Sequence, residues 1–143
     1  MLNPEKGIAL FTDGSCWTGD RIGGWAFVAI DAFGNEVDNS GSETDTTISR
    51  MELMAVATGL EEIFLFLGPC EILVFSDSEY VVKGAIDKRR ARNKNNDLWD
   101  WLDHWEGRHE EVVFEHVRGH QDSYYNDLAD RLAGNARVRE QKS

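Results

Sequence analysis

Four carboxylates stand out by their surroundings. Asp13 in "TDGS" and Asp77 in "SDSEY" each follow a run of apolar, strand-like residues and precede a small polar one. Glu52 lies in "SRMELMAVATGLEEI", where positions 52, 56, 60, 63 and 67 share one helical face and the other four are Val56, Leu60, Ile63 and Leu67. A carboxylate on that face turns toward the core, where an unpaired charge is costly or takes up a proton. Either Glu52 sits at the margin of the face near water, or something positive meets it.

One Asp at a strand end has an ordinary explanation, because its side chain can cap the turn or helix that follows. Two strand ends together with an inward-looking Glu52 make a different pattern. Strand ends are where open sheets carry their sites, and three carboxylates close together repel unless they share cations. Hard divalent ions with oxygen ligands, Mg²⁺ or Mn²⁺, suit such a cluster. The last helix adds Asp130, whose neighbours Ala129 and Ala133 are small enough to let the helix approach the sheet. Asp127 lies one helical step away and is expected to stay in solvent or cap the helix.

The elements that must position these groups follow from pattern. "GIALFTD" (7–13) and "GWAFVAI" (24–30) read as strands, and "GNEVDNSG" as a turn and a more polar strand. The helix around Glu52 breaks at Gly68 and Pro69. "EILVFSD" (71–77) suits a strand buried on both faces. Helices follow at 78–87 and 96–106, then the strand "EEVVFEHV", the loop "RGHQDSYY" and the closing helix "NDLADRLAGNARV". Leu98, Trp101, Leu102 and Trp105 form a core stripe, whereas Trp99 points elsewhere, toward solvent. The order predicts an α/β fold, a five-stranded mixed sheet flanked by helices.

The chain has 143 residues, 41% hydrophobic and 29% charged, which suits one globular unit over 1–143 with an ordered core of about 7–139. No stretch reads as a signal or a membrane span, and Cys16 and Cys70 have no metal-type or redox-type spacing, so a monomeric cytoplasmic protein is expected. A net charge of −11 pulls against a polyanionic partner, yet "KRRARNK" (88–94) places five basic residues in seven positions. That run is either a solvated helix end or a local phosphate-binding patch.

"FTDGSC", "ISRMELMAV", "FSDSEYVVKG", "NNDLW", "VRGHQD" and "NDLADRLA" occur in the order and approximate spacing of a type 1 ribonuclease H. The chain resembles that family over nearly its whole length. The resemblance implies a Mg²⁺-dependent endonuclease that cuts the RNA strand of RNA–DNA hybrids, leaving 5′-phosphate and 3′-hydroxyl ends. It further implies two Mg²⁺ ions, with Mn²⁺ a possible substitute, held by Asp13, Glu52, Asp77 and Asp130. His120 matches the family's loop histidine, which assists proton movement or product release, while His104, His109 and His116 read as surface or packing residues. Thr47 and Asn95 match a phosphate pocket for the DNA strand, and Lys88, Arg89, Arg90, Arg92 and Lys94 are expected to grip that strand beyond the site.

The chain also departs from the family pattern. Asp45 stands where an Arg is frequent two residues before Thr47, Ile48 and Gly19 stand where Asn residues are common, and the basic handle is shortened, with Lys88 at a usual Trp. Strand transfer or junction cleavage on the same fold is disfavoured by the "GHQ" and "DRLA" motifs. A non-catalytic hybrid-binding module would lack a carboxylate, and none is missing.

Overall fold

The computed structural model describes residues 1–87, 92–118 and 123–143. Its strands are β1 (Ile8–Cys16), β2 (Gly23–Asp31), β3 (Glu36–Glu43), β4 (Glu71–Ser76) and β5 (Glu111–His116). Its helices are α1 (Ile48–Leu67), α2 (Glu79–Ile86), α3 (Asn96–Glu106) and α4 (Tyr124–Gln141). The strands form one sheet in the order β3-β2-β1-β4-β5. β1, β2 and β3 pair antiparallel, and β4 and β5 continue the sheet parallel to β1. This is the mixed five-stranded α/β sheet that the pattern predicts.

α1 covers one face. Thr47 starts it, its hydroxyl accepting the Arg50 N–H at 3.2 Å, and the chain leaves the helix at Gly68 and Pro69. Leu53, Val56, Leu60 and Ile63 are buried in one cluster with Leu10, Phe27, Ile72 and Val74 of the sheet. Truncating Leu53 to Ala there is expected to cost about 2–5 kcal/mol. α4 covers part of the other face with Ala129, Ala133 and Ala136, all buried. The approach is closest at Gly24 of β2, where a Cβ would lie 2.1 Å from the Ala133 carbonyl oxygen. Only glycine there lets α4 lie against the sheet.

Two expectations about the strands need correction. Asp13 does not end β1, which runs on to Cys16 because β2 pairs with it as far as Gly23. The parallel pairing with β4, by contrast, stops at Phe11 and Phe75. β1 and β4 part just beyond that point, tied by the Thr12 hydroxyl donating to the Phe75 carbonyl at 3.0 Å. Asp13 therefore lies beside the opening while still held in a strand. β4 is also not buried on both faces: Ile72, Val74 and Ser76 are buried, but Leu73 and Phe75 are half-buried. Phe75 stacks on Phe11 at 4.7 Å, and Phe11 meets Tyr125 of α4 at 5.4 Å, a partial cover rather than a second core.

α3 packs on α1 through buried Leu98 and Leu102, with Trp101 and Trp105 at the core margin. Trp99 is the third correction. It is 1% exposed, its indole N–H donates to the Tyr80 hydroxyl at 3.1 Å, and it fills space against Gly84 of α2.

Candidate active site

The crevice between the ends of β1 and β4 gathers the carboxylates. Asp13, Glu52 and Asp77 each offer an oxygen, and these oxygens all lie within 4.8 Å of one another. Each arrives from a different element: Asp13 from β1, Glu52 from the first turns of α1, and Asp77 from the residue after β4. Gly14 allows the meeting of β1 and α1, because a Cβ there would sit 2.7 Å from the Glu52 backbone nitrogen. Asp130 of α4 joins them, lining with Asp13 and Asp77 a cavity of about 120 Å³. It is close enough to Asp13 to share a hydrogen bond when one of the two is protonated.

Capping does not account for these groups. The helix after Asp77 is capped by Ser78, whose hydroxyl accepts the Val81 N–H at 3.2 Å. Asp13 accepts one backbone N–H, from Gly14 at 2.9 Å. Glu52 is 6% exposed, and its Oε2 is buried without a hydrogen-bond partner. Burial, then the charges of Asp13 and Asp77, push the Glu52 carboxyl well above the usual carboxylate range. Burial first, then the Asp77 charge and Asp130, push Asp13 up to about 8. Such groups cannot all be anionic at neutral pH without a cation between them. The orphaned Glu52 oxygen and the all-oxygen donor set fit a hard divalent ion.

A family model described as RNase H matches residues 5–138. The chain belongs to the ribonuclease H family. Ribonuclease H of Pseudomonas fluorescens (strain Pf0-1) is 38% identical over 145 residues, covering 93% of this chain and 92% of its own. That of Acetivibrio thermocellus is 34% identical, with 90% and 92% covered. Among solved structures, LC11-RNase H1 in complex with RNA/DNA hybrid has a similar fold, with a TM-score of 0.81, 24% identity, and 94% and 99% of the two chains covered. LC9-RNase H1, described as a type 1 RNase H with the type 2 active-site motif, has a TM-score of 0.79, 26% identity, and 92% and 72% covered.

The predicted substrate contacts fare unequally. Thr47 is exposed, and its hydroxyl, while accepting from Arg50, keeps a proton to donate. Asn95 precedes α3 in the left-handed region (φ 61°), its amide donating to the Tyr80 hydroxyl at 3.2 Å. Arg50 ties the two elements together: its guanidinium forks onto both Asp97 oxygens at 3.1 Å each and its Nε meets Glu43 at 3.0 Å. Arg92 is corrected. Instead of reaching for phosphates it is turned inward, bidentate to Asp103, bonded to the Gly84 carbonyl at 3.0 Å, and stacked 4.1 Å from the Trp99 ring centre. An aromatic face and a carboxylate together hold a guanidinium more firmly than solvent does. Lys88, Arg89, Arg90 and His120 lie outside the described residues.

Three further residues border the site. Asp127 is exposed as expected, but it lines the carboxylate cavity, and Ser123 rather than Asp127 caps α4. Its spacing of three from Asp130 puts both on one side of the helix, a signal present in the sequence. Arg118 lines the same cavity, and His116 meets the Asp77 backbone carbonyl at 3.2 Å. Arg118 lies in the "VRGHQD" motif, whereas nothing in its local sequence marks His116, whose place depends on where β5 ends beside β4. His109 is a packing residue, buried and bonded to the Cys70 N–H and the Leu60 carbonyl.

Proposed function

We propose that this protein hydrolyses the RNA strand of RNA–DNA hybrids, leaving 5′-phosphate and 3′-hydroxyl ends. The observation that carries the reading is the convergence of Asp13, Glu52, Asp77 and Asp130, with a buried Glu52 oxygen lacking any partner, in a ribonuclease H chain. That a neighbour of the same fold has been solved with an RNA/DNA hybrid supports the choice of substrate.

Asp13, Glu52, Asp77 and Asp130 would hold Mg²⁺, as two ions, with Mn²⁺ a possible substitute. When bound, the ions supply charge relief on the phosphate oxygens, an activated water and help for the departing 3′-oxygen. The protein's own part is positional. Burial keeps Asp13 and Glu52 poor anions until a cation arrives, so the cluster selects for divalent charge. Asp77 and Asp130 are both exposed, which leaves their carboxylates reachable by ions and substrate. His120 assists proton movement or product release. Thr47 and Asn95 hold a DNA-strand phosphate, with Lys88, Arg89, Arg90 and Lys94 beyond them. We read the chain as a monomeric cytoplasmic enzyme. Its two cysteines are separate free thiols, and among the described residues no helix is long and apolar enough to cross a membrane.

The test is incubation with matched RNA–RNA, DNA–DNA and RNA–DNA duplexes, with and without Mg²⁺. The RNA strand of the hybrid alone should be cut, and only with the ion. Metal-independent cleavage, or equal cutting of a DNA duplex, rules the reading out.

A further inference from the structure

Thr47 and Asn95 belong to different elements, Thr47 just before α1 and Asn95 just before α3. The two helices pack through Leu98 and Leu102, and apolar contact of that kind has no preferred direction. A directional contact between their first turns comes from Arg50. Its guanidinium forks from α1 onto both oxygens of Asp97 in α3, at 3.1 Å each.

The fork is itself anchored at both ends. Arg50 Nε donates at 3.0 Å to Glu43, the last residue of β3. The same Glu43 oxygen accepts the hydroxyl of buried Thr46 at 2.6 Å, so one carboxylate holds both the root of the fork and the neighbour of Thr47. On the other side Asn95 is kept in its left-handed conformation beside the Tyr80 hydroxyl, which accepts the Asn95 amide at 3.2 Å and the Trp99 indole N–H at 3.1 Å. Two carboxylates on one guanidinium leave it little net charge to offer a phosphate. A surface ion pair also adds little stability. What a planar, two-pronged contact does add is a defined geometry between the groups it joins.

We infer that Arg50 is a positioning residue, setting through Asp97 the separation of Thr47 and Asn95 so that both reach one DNA-strand phosphate. The inference rests on the hybrid-cleaving reading above and on its Thr47 and Asn95 contact. A role for charge alone makes the opposite forecast for one partner. Removing the negative charge of Asp97 beside a bound anion would tighten binding. Positioning requires instead that losing either partner loosens it.

The experiment reads hybrid binding by anisotropy on the Asp77→Asn background, which should not turn substrate over. Arg50→Gln, Asp97→Asn, both together, and Arg50→Lys are added to it, at a temperature where circular dichroism shows every variant folded. Each single change should raise Kd about tenfold, and the pair should cost no more than either alone. Arg50→Lys keeps the charge without the fork, so it should not restore affinity. A set of hybrids, each with one DNA-strand phosphate replaced by a neutral methylphosphonate, then locates the contact. The Asp77→Asn protein should lose affinity at one position, and Arg50→Gln should make binding indifferent to that replacement. With Asp77 restored, Arg50→Gln should raise KM by a similar factor while kcat holds. Tighter binding by Asp97→Asn, full affinity in Arg50→Lys, additive losses in the pair, or an undiminished methylphosphonate effect in Arg50→Gln overturns the inference. If no methylphosphonate weakens the Asp77→Asn protein, the Thr47 and Asn95 contact is wrong and the inference falls with it. Cleavage of hybrid by the unsubstituted protein is read separately, so failure of the proposed function is distinguishable from failure here.

Discussion

Asp13 and Asp31 are both buried aspartates on neighbouring strands, at opposite ends of the same sheet. Burial alone raises the carboxyl of each. At Asp31 the backbone N–H groups of Asn3, Phe33 and Asn35 and the Asn35 amide, at 2.8–2.9 Å, outweigh it and bring the group down to about 2. At Asp13 one backbone N–H faces burial and two further carboxylates, and the group rises to about 8. The same side chain is a finished structural staple in one place and an unfinished ligand set in the other. What separates them is whether the fold supplies donors or more acceptors.

The largest expected effect comes from the unfinished end. Asp77→Asn should lower kcat by about 10³-fold or more, measured on the hybrid at saturating Mg²⁺, and should raise the melting temperature of the metal-free protein by removing one repelling charge. Near-normal turnover would break the comparison at its root. His120 holds no ion in this scheme, so His120→Ala should cost about 10- to 100-fold in rate with hybrid affinity little changed. A loss as deep as that of Asp77→Asn would make it a ligand or an obligatory acid.

The two ends should also respond oppositely to pH. The Asp13 pKa is about 8 in the folded, metal-free protein against an ordinary 3.8. Its contribution is therefore complete below the unfolded value and is lost as pH rises through about 8. Mg²⁺ should accordingly raise the melting temperature more at pH 8.5 than at pH 5.5. Asp31 has its folded pKa below the ordinary value, so its contribution is present above about 3.8 and fades as pH falls toward 2. Asp31→Asn should lower the melting temperature by a few degrees at neutral pH, and by progressively less in acid, with no change in Mg²⁺ response.

Arg92 extends the lesson to the basic run. Because its fork, its Nε and its π-face are all taken inside the protein, Arg92→Ala should destabilise by about 2 kcal/mol in urea unfolding. It should leave the salt dependence of hybrid binding alone. Neutralising Arg89 and Arg90 together should instead flatten that dependence, by roughly one unit of slope for each phosphate no longer held by a cation.

The sequence by itself determined the order of elements, the sheet class, the buried face of α1 and the anomaly of Glu52. These depend on periodicity and side-chain chemistry within a window of a few residues. It also placed Asp130 on the approaching face of α4, because two flanking alanines are a local sign of close packing. The depth of the carboxylate cluster was decided only in three dimensions. Asp13 stays within a strand because β2 outlasts β4 as its partner, and no residue near Asp13 encodes where a neighbouring strand stops. Arg92 and Trp99 were misread for a related reason. A basic run and an off-stripe tryptophan look solvent-facing until Tyr80, Gly84 and Asp103, remote in sequence from one or the other, close around them. Local pattern sets what a residue prefers, and long-range pairing sets what it meets.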